Sequence, residues 1–358
     1  MKPDYSTYCT LPFNHLAVEP NGDLKLCCLS EPFIPRVNIN NQSLYDAYNS
    51  EQFKKARLDL QSGVKHSLCK ICWEKEKLGM PSHRIEVGLP KNHLGEWTER
   101  TTTDGTIELD FEYIDIRFSN LCNFKCIMCN HDYSSTWYGD KEKEAGKSRV
   151  LKVRENFIEE IKPYIKNLKS VYFAGGEPLI MPEHFEILSY LHKTNKNIHI
   201  VYNTNLSVIK YDKTDLVNMW KDFDKVMVQV SLDGLFEIGE TIRSGFDTKK
   251  FFENIKILKE NNINYHIAHT TGSYNITNIF TFIKELYDNE IIWNDDMVSI
   301  ANLVIYPKKY NIQLMSLDKK LEAKKYLEDN LKNLSEPRIR SQVLNLLKFL
   351  NIKQQPLI

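Results

Sequence analysis

Cys122, Cys126 and Cys129 lie in the segment LCNFKCIMCN with the spacing CxxxCxxC. One short loop with this spacing can hold three corners of an iron–sulfur cube, which takes four ligands, so one iron stays open to a ligand that is not protein. An open coordination position distinguishes a reactive metal site from a structural one. Two other interpretations fit the same loop: a zinc knuckle that also uses His131, and buried thiols that pack as small apolar side chains.

A second segment whose residues could take part in chemistry is KSVYFAGGEPLIM. Its apolar, β-branched and aromatic run over residues 169–174 has the length of a strand, and Gly175 and Gly176 end it. Two glycines let the backbone approach a ligand closely, Glu177 adds a carboxylate, and Pro178 fixes the turn. Such a strand end can receive an ammonium group, although an ordinary loop between a strand and a helix has the same composition.

Taken together, the CxxxCxxC loop and the GGEP turn resemble the radical S-adenosylmethionine (SAM) superfamily. The resemblance implies a 4Fe–4S cluster on the three cysteines of the loop, with SAM on the open iron. It also implies reductive cleavage of SAM to a 5′-deoxyadenosyl radical that takes a hydrogen atom from the substrate, chemistry that belongs to the cofactors. The resemblance further implies that the GGEP turn binds the methionyl amino group of SAM. The residues of this turn are Gly175, Gly176, Glu177 and Pro178.

Later strand ends extend the resemblance. Residues 198–202 lead into the segment NTN, which looks like the family's contact to ribose or methionine, and residues 225–231 lead into SLDG, a sequence of the SPASM-type branch. Each segment alone is equally an ordinary turn at the end of a strand. Leu206 stands where the family often has glycine, and Met128 replaces its common aromatic residue. The further SAM-binding residues that the resemblance implies are Met128, Thr204, Asn205, Ser231, Asp233 and Arg243, the last as a partner of the SAM carboxylate or of substrate.

The elements that must position these residues alternate between strands and helices. Strand patterns occur at residues 113–118, 169–174, 198–202, 225–231, 264–270 and 297–305, and helix patterns at 153–168 (interrupted at Pro163), 184–194, 214–220, 249–261 and 275–287. Repeated βα units predict parallel strands with right-handed crossovers, with the active residues at the carboxyl ends of the strands. The predicted fold class is α/β, and the resemblance implies a partial (β/α)6 barrel over residues 108–310.

Residues 1–100 hold the other five cysteines. A predicted hairpin around Pro20-Asn21-Gly22-Asp23, an amphipathic helix and the segment CKICW resemble the auxiliary-cluster region of SPASM and twitch domains. Such domains normally follow the barrel, whereas this region precedes it. A four-cysteine zinc site is the alternative, since CxxC is also half of a zinc site. The ligands that the resemblance implies for one auxiliary 4Fe–4S cluster are Cys9, Cys27 or Cys28, Cys69 and Cys72.

Composition limits the partners of this chain. Lys+Arg and Asp+Glu are both 47, so we expect neither nucleic acid nor an anionic membrane as a partner. Eight cysteines without a signal peptide or an apolar run of spanning length predict a metal-binding cytoplasmic protein. The apolar pattern of residues 311–358 predicts a C-terminal pair of amphipathic helices. Tyr133 and Trp137 lie close enough in sequence to line or cover the cluster, and Asp115 is predicted to be structural.

The sequence thus predicts a radical SAM enzyme of the oxidoreductase or maturase type, with no catalytic residue assigned beyond the cluster. The resemblance favours oxidation or cross-linking of a peptide or protein, and it implies an electron donor such as flavodoxin or ferredoxin. Dehydrogenation or rearrangement of a sugar or a nucleotide-derived small molecule is the alternative reaction. Outside the enzymes, the alternative function is a non-catalytic iron–sulfur or zinc binding module.

Overall fold

The computed structural model describes residues 4–77, 79–87, 96–139, 146, 150–211, 214–332 and 334–351. The chain divides into two compact units. Unit 1 contains Met1–Leu121, Ser148–Ile200 and Phe223–Lys225, and unit 2 contains Cys122–Lys147, Val201–Asp222 and Val226–Ile358. Among the described helices, none has the length and apolarity needed to cross a lipid bilayer.

The α-helices are short in the N-terminal part of the chain and longer after it. In chain order they are α1 Leu11–Asn14, α2 Leu44–Tyr48, α3 Glu51–Gln61, α4 Lys70–Lys77, α5 His83–Glu86, α6 Glu96–Glu99, α7 Phe157–Ile161, α8 Pro182–Thr194, α9 Leu216–Lys221, α10 Phe236–Ile242, α11 Thr248–Glu260, α12 Ile279–Asp288, α13 Leu317–Leu331 and α14 Pro337–Asn351.

The β-strands include both long sheet strands and short two-residue pairs. In chain order they are β1 His15–Val18, β2 Leu24–Lys25, β3 Tyr113–Ile116, β4 Lys125–Cys126, β5 Ser170–Phe173, β6 His199–Thr204, β7 Lys210–Tyr211, β8 Thr214–Asp215, β9 Lys225–Ser231, β10 Arg243–Ser244, β11 Asn264–Thr271 and β12 Val298–Leu303. A strand lies at each of the six predicted positions, which confirms the α/β class.

In unit 1, the predicted N-terminal hairpin is β1–β2, with Ala17 opposite Lys25. Its turn takes Gly22 at φ +85°, a left-handed conformation that glycine adopts without steric cost. Strand β1 also pairs in parallel with β3, and β3 pairs in parallel with β5. The predicted interruption at Pro163 is confirmed, because α7 ends at Ile161 and a single 3₁₀ turn, Lys162–Tyr164, follows it.

In unit 2, β9, β11 and β12 are parallel neighbours. Burial alternates along β9, where Val226, Val228 and Val230 are buried and the residues between them are partly exposed, as expected of a strand with one apolar and one polar face. Helix α14 satisfies backbone groups of β12, because the Gln342 side chain accepts from the Ile300 amide at 2.6 Å and donates to the Val298 carbonyl at 3.1 Å. An exposed strand edge is protected in this way.

Candidate functional site

The cysteine loop in unit 2 is held by a short antiparallel pair. Strand β4 pairs with β10, so that Cys126 lies opposite Arg243. The Ile127 amide continues this pairing by donating to the Ile242 carbonyl at 3.0 Å. Gly245, at φ +106°, lets β10 end against the loop, since a Cβ there would lie 2.9 Å from the Asn123 carbonyl oxygen. The backbone of the loop is therefore fixed by β10, a strand that no sequence pattern indicated.

The three thiols of the loop lie close together. Charge interactions link Cys129 to both Cys126 and Cys122, and burial, reinforced by these neighbours, raises the pKa of the Cys129 thiol to about 12. The Phe124 amide donates toward the Cys122 Sγ at 3.4 Å. Thiols of this kind become thiolates only when a cation compensates their charge, and amide donors to sulfur are a regular feature of iron–sulfur sites. The donor set fits a cluster.

The segment after the third cysteine supports the loop. The Ser134 and Thr136 hydroxyls both donate to the Phe124 carbonyl, at 2.8 and 2.7 Å. The Trp137 indole N–H donates to the Cys126 carbonyl at 3.0 Å, so this aromatic residue covers the loop. Tyr133 is 38% exposed, and His131 makes an ion-pair contact of 3.2 Å with Asp132.

Arg243 and Asp233 form a buried ion pair beside the cysteine loop. Their closest N···O distance is 2.7 Å, and Asp233 has no exposed side-chain surface. The same arginine places its Nη1 3.7 Å from the Cys126 Sγ. The Thr270 amide donates to Asp233 at 2.6 Å, and the His269 ring lies 3.9 Å from it. Asp233 thus contacts protein groups, and its predicted contact with SAM stays a prediction.

The end of β6 also reaches the cysteine loop within unit 2. The Asn205 side chain donates to the Asn123 side chain at 3.0 Å, and Asn123 in turn donates to the Ser207 hydroxyl at 2.9 Å. Thr204 is buried and its hydroxyl accepts from the Leu206 amide at 2.9 Å. Leu206 adopts φ +54°, which explains physically why glycine is common at this position in the family that the sequence resembles.

Two further SAM-binding predictions concern Ser231 and Met128. The Ser231 hydroxyl donates to the Asn203 side chain at 3.0 Å, so the ends of β9 and β6 are linked by side chains. Met128 is partly buried. The contacts of both residues are compatible with the predicted roles and do not test them.

In unit 1, the GGEP turn packs against the backbone that leads into the cysteine loop. Gly175 has φ +132°, and a Cβ at Gly176 would lie 2.1 Å from the Leu121 carbonyl oxygen. The Glu177 carboxylate is 1% exposed and accepts from the Leu179 amide at 3.0 Å, within the 3₁₀ turn that starts at Pro178. Both glycines are therefore required by the close approach of protein backbone, a role separate from any ligand contact.

Four N-terminal cysteines line one cavity in unit 1. Charge interactions connect every pair among them, and Leu11, Leu29 and Leu60 pack around them. Burial, reinforced by the neighbouring thiols, raises the pKa of Cys9 and of Cys27 to about 12. The cysteines that line this cavity are Cys9, Cys27, Cys69 and Cys72.

Nearby backbone groups and one arginine also act on these four thiols. The backbone at Leu11, Leu29 and Arg84 lowers the pKa of Cys9, Cys27 and Cys72, respectively, against the larger opposing effect of burial. The Arg84 side chain lines the cavity and pairs with Glu76 at 2.7 Å. Four neighbouring thiols match the number of ligands that a four-iron auxiliary cluster takes. In the ranges that the structure describes, no group of His, Cys, Asp and Glu side chains is spaced for a single metal ion.

Cys28 is not among the residues that line this cavity. Its Sγ lies 3.9 Å from the His83 Nε2, and the charged groups that act on it include Asp115, Arg117 and Lys25. Of the two adjacent cysteines that the sequence left open, Cys27 is the one that the structure places with the other three thiols.

A buried polar cluster in unit 1 was missed by the sequence analysis. Arg117 Nη1 lies 2.8 Å from Asp115 and 3.9 Å from Glu19, and Lys25 lies 3.5 Å from Glu19. Tyr172 is next to this cluster, and burial raises its pKa. The alternation of Tyr113, Asp115 and Arg117 along one strand was the available signal, because residues two apart share a face.

Comparison with protein families identifies two matching models. Residues 116–283 match the model described as "Radical SAM superfamily". Residues 9–73 match the SPASM model, described as an iron–sulfur cluster-binding domain. The first match implies a 4Fe–4S cluster and SAM, and the second implies an auxiliary iron–sulfur cluster.

Individual relatives are distant. A GTP 3′,8-cyclase of Helicobacter pylori is 30% identical over 125 residues, which is 35% of each chain. The solved structure "Native anSMEcpe with bound AdoMet" is 19% identical with a TM-score of 0.46, over 62% of this chain and 60% of that chain. Streptococcus suis SuiB with S-adenosylmethionine is 15% identical with a TM-score of 0.41, over 78% and 62%. The matches span about a third of the cyclase and about three fifths of the two solved chains.

Proposed function

We propose that this chain, which belongs to the radical SAM superfamily and carries an N-terminal SPASM domain, modifies a peptide or protein substrate by hydrogen-atom abstraction. When bound, the cluster and SAM together supply reductive cleavage of the sulfonium and a 5′-deoxyadenosyl radical. The observation that carries the proposal is the presence of two separate thiol sets, one on the cysteine loop of unit 2 and one lining the N-terminal cavity of unit 1.

We assign a role to each thiol set. Cys122, Cys126 and Cys129 hold the cluster that binds SAM, since three thiolates leave one iron open. The cysteines of the N-terminal cavity hold the auxiliary cluster with all four positions filled, so it suits electron transfer from a substrate radical. The residues that would hold it are Cys9, Cys27, Cys69 and Cys72.

The residues of the GGEP turn and of the later strand ends have supporting roles in this proposal. The turn that contains Glu177 receives the methionyl amino group, and the Glu177 carboxylate also fixes the turn through the Leu179 amide. Asn205 positions the cysteine loop through Asn123. An acidic electron-transfer protein such as flavodoxin or ferredoxin supplies the reducing electron.

A second candidate function follows from the cyclase match. Identity of 30% over 125 residues with a GTP 3′,8-cyclase favours chemistry on a nucleotide-derived small molecule. The match covers 35% of either chain, so it supports this alternative only for the part of the chain that it spans.

The test measures 5′-deoxyadenosine from the anaerobically reconstituted and reduced protein with SAM. If the wild type forms 5′-deoxyadenosine and a Cys122/Cys126/Cys129→Ala variant does not, the enzyme function is supported. If a fully loaded, reduced wild-type sample forms no 5′-deoxyadenosine, the enzyme function is wrong. Substrate class is tested by adding either GTP or a heat-stable cell extract, half of it treated with a protease. Stimulation that proteolysis abolishes indicates a peptide, whereas stimulation by GTP indicates the cyclase-like reaction.

A further inference from the structure

We propose that the Asp233–Arg243 ion pair sets the reduction potential of the cluster on the Cys122, Cys126 and Cys129 loop. Arg243 acts on the cluster through the sulfur of Cys126, and Asp233 is a positioning residue that acts through Arg243. The inference rests on the proposed assignment of these cysteines as cluster ligands.

The backbone brings Arg243 to Cys126. The two residues are cross-strand partners in the β4–β10 pair, and the distance from Arg243 Nη1 to Cys126 Sγ is 3.7 Å. The Arg243 side chain is 9% exposed, so water screens its charge little. A buried positive charge this close to a ligand sulfur stabilises the reduced cluster, which carries one more negative charge than the oxidised cluster.

Asp233 fixes the position of the Arg243 guanidinium and partly neutralises its charge. Its carboxylate lies 2.7 Å from the guanidinium and accepts a hydrogen bond of 2.6 Å from the Thr270 amide. Because the carboxylate is fully buried and held by a backbone group, it cannot turn away from Arg243. The carboxylate therefore offsets part of the positive charge that the cluster experiences.

The two members of the pair act in opposite directions. Loss of the guanidinium removes a positive charge next to Cys126 and makes reduction of the cluster harder. Loss of the Asp233 charge leaves the guanidinium uncompensated and makes reduction easier. A purely structural pair has no reason to shift the potential in opposite directions when one or the other member is changed.

The experiment is an EPR-monitored redox titration of the fully reconstituted protein without SAM. The variants are Arg243→Met, Asp233→Asn and the charge-preserving Arg243→Lys, each with iron and sulfide counted per chain. The spectrum of a Cys122/Cys126/Cys129→Ala variant identifies the signal of the auxiliary cluster. SAM affinity of each variant is measured separately by equilibrium binding.

We expect Arg243→Met to disfavour reduction about tenfold and Asp233→Asn to favour it about tenfold, which is about 59 mV in either direction for one electron. Arg243→Lys should stay closer to the wild type than Arg243→Met. Unchanged potentials in cluster-loaded variants, with weakened SAM binding, would overturn the inference, because Arg243 would then serve SAM alone.

Asp233→Asn preserves the shape of the side chain. If Arg243→Met does not fold, the reduction potential of the cluster in Asp233→Asn therefore tests the inference by itself. A potential in Asp233→Asn that is unchanged or more negative overturns the inference. Failure of the underlying proposal gives a different result: the triple cysteine variant would keep the iron content and every cluster signal of the wild type.

Discussion

The Glu177 amide donates a hydrogen bond of 2.8 Å to the carbonyl oxygen of Leu121, the residue before Cys122. The neighbouring Gly176 amide donates to the Ser119 carbonyl at 3.1 Å. These bonds hold the backbone of residues 119–121, which leads into the cysteine loop, against the GGEP turn. The glycines of the turn are therefore explained by contact with the chain itself.

Gly176→Ala should lower the free energy of unfolding by at least about 2 kcal/mol, since its Cβ would meet the Leu121 backbone and force it to move. Because Leu121 precedes Cys122, we also expect less iron per chain at the SAM cluster. Urea unfolding and iron analysis measure the two effects.

Gly79→Ala is a control for the added Cβ without a close contact. Unlike Gly176, Gly79 has a positive φ, +67°, and a Cβ there would meet nothing within 4 Å. Its substitution should cost only about 1 kcal/mol of backbone strain and leave the iron content unchanged. Equal effects of the two substitutions would show that the contact with Leu121 does not matter.

The long strands of the sheet could be predicted from sequence because each carries an apolar run that ends in a turn. Strand β9, for example, has buried valines at alternate positions and ends just before Asp233. The positions of the strand ends then followed from the parallel arrangement. The set of Cys122, Cys126 and Cys129 followed from its spacing, since metal ligands on one loop need little tertiary information. The N-terminal set followed from the resemblance to SPASM and twitch domains.

The contacts of Arg243 could not be predicted in the same way. Strand β10 has two residues, which is too short for a periodic pattern, and its pairing with β4 joins residues far apart in sequence. The sequence also did not indicate that Asp233 pairs with Arg243. The choice between Cys27 and Cys28 likewise depends on the direction of two adjacent side chains after a hairpin.

Cys27→Ala should remove the auxiliary cluster, and Cys28→Ala should leave it in place. Cys27 lines the cavity of the four thiols, whereas Cys28 lies beside His83. We expect iron to fall from about eight to about four per chain in the first variant and to stay near eight in the second. Iron and sulfide analysis decides, and the opposite pattern would assign the ligand role to Cys28.

Leu206→Gly should be more stable than Leu206→Ala by about 1 kcal/mol, because residue 206 has φ +54° and only glycine adopts this conformation without strain. Both variants lose the contacts of a fully buried leucine. The order of stability should reverse at Leu188, a buried residue inside α8, where alanine is favoured over glycine by about 1 kcal/mol. Urea unfolding of the four variants tests this, and the same order at both positions would contradict it.

His184 should make the protein less stable at mildly acidic pH. The residue is fully buried in α8, its ring packs 4.8 Å from that of Phe173, and burial lowers its pKa to about 3. The unfolded chain takes up a proton at this histidine near pH 6.5, whereas the native protein does not. The free energy of unfolding therefore falls as the pH drops below about 6.5, and it keeps falling until the pH reaches the native pKa.

In His184→Phe this contribution is absent. Between pH 7.5 and 5.5, the wild type should lose about 1.4 kcal/mol more of its free energy of unfolding than the variant, because only the unfolded chain takes up a proton at this histidine over that interval. Urea unfolding of the cluster-loaded proteins at the two pH values measures the difference. Equal losses in both proteins would mean that His184 also takes up a proton in the native state, and that its burial does not hold the ring neutral.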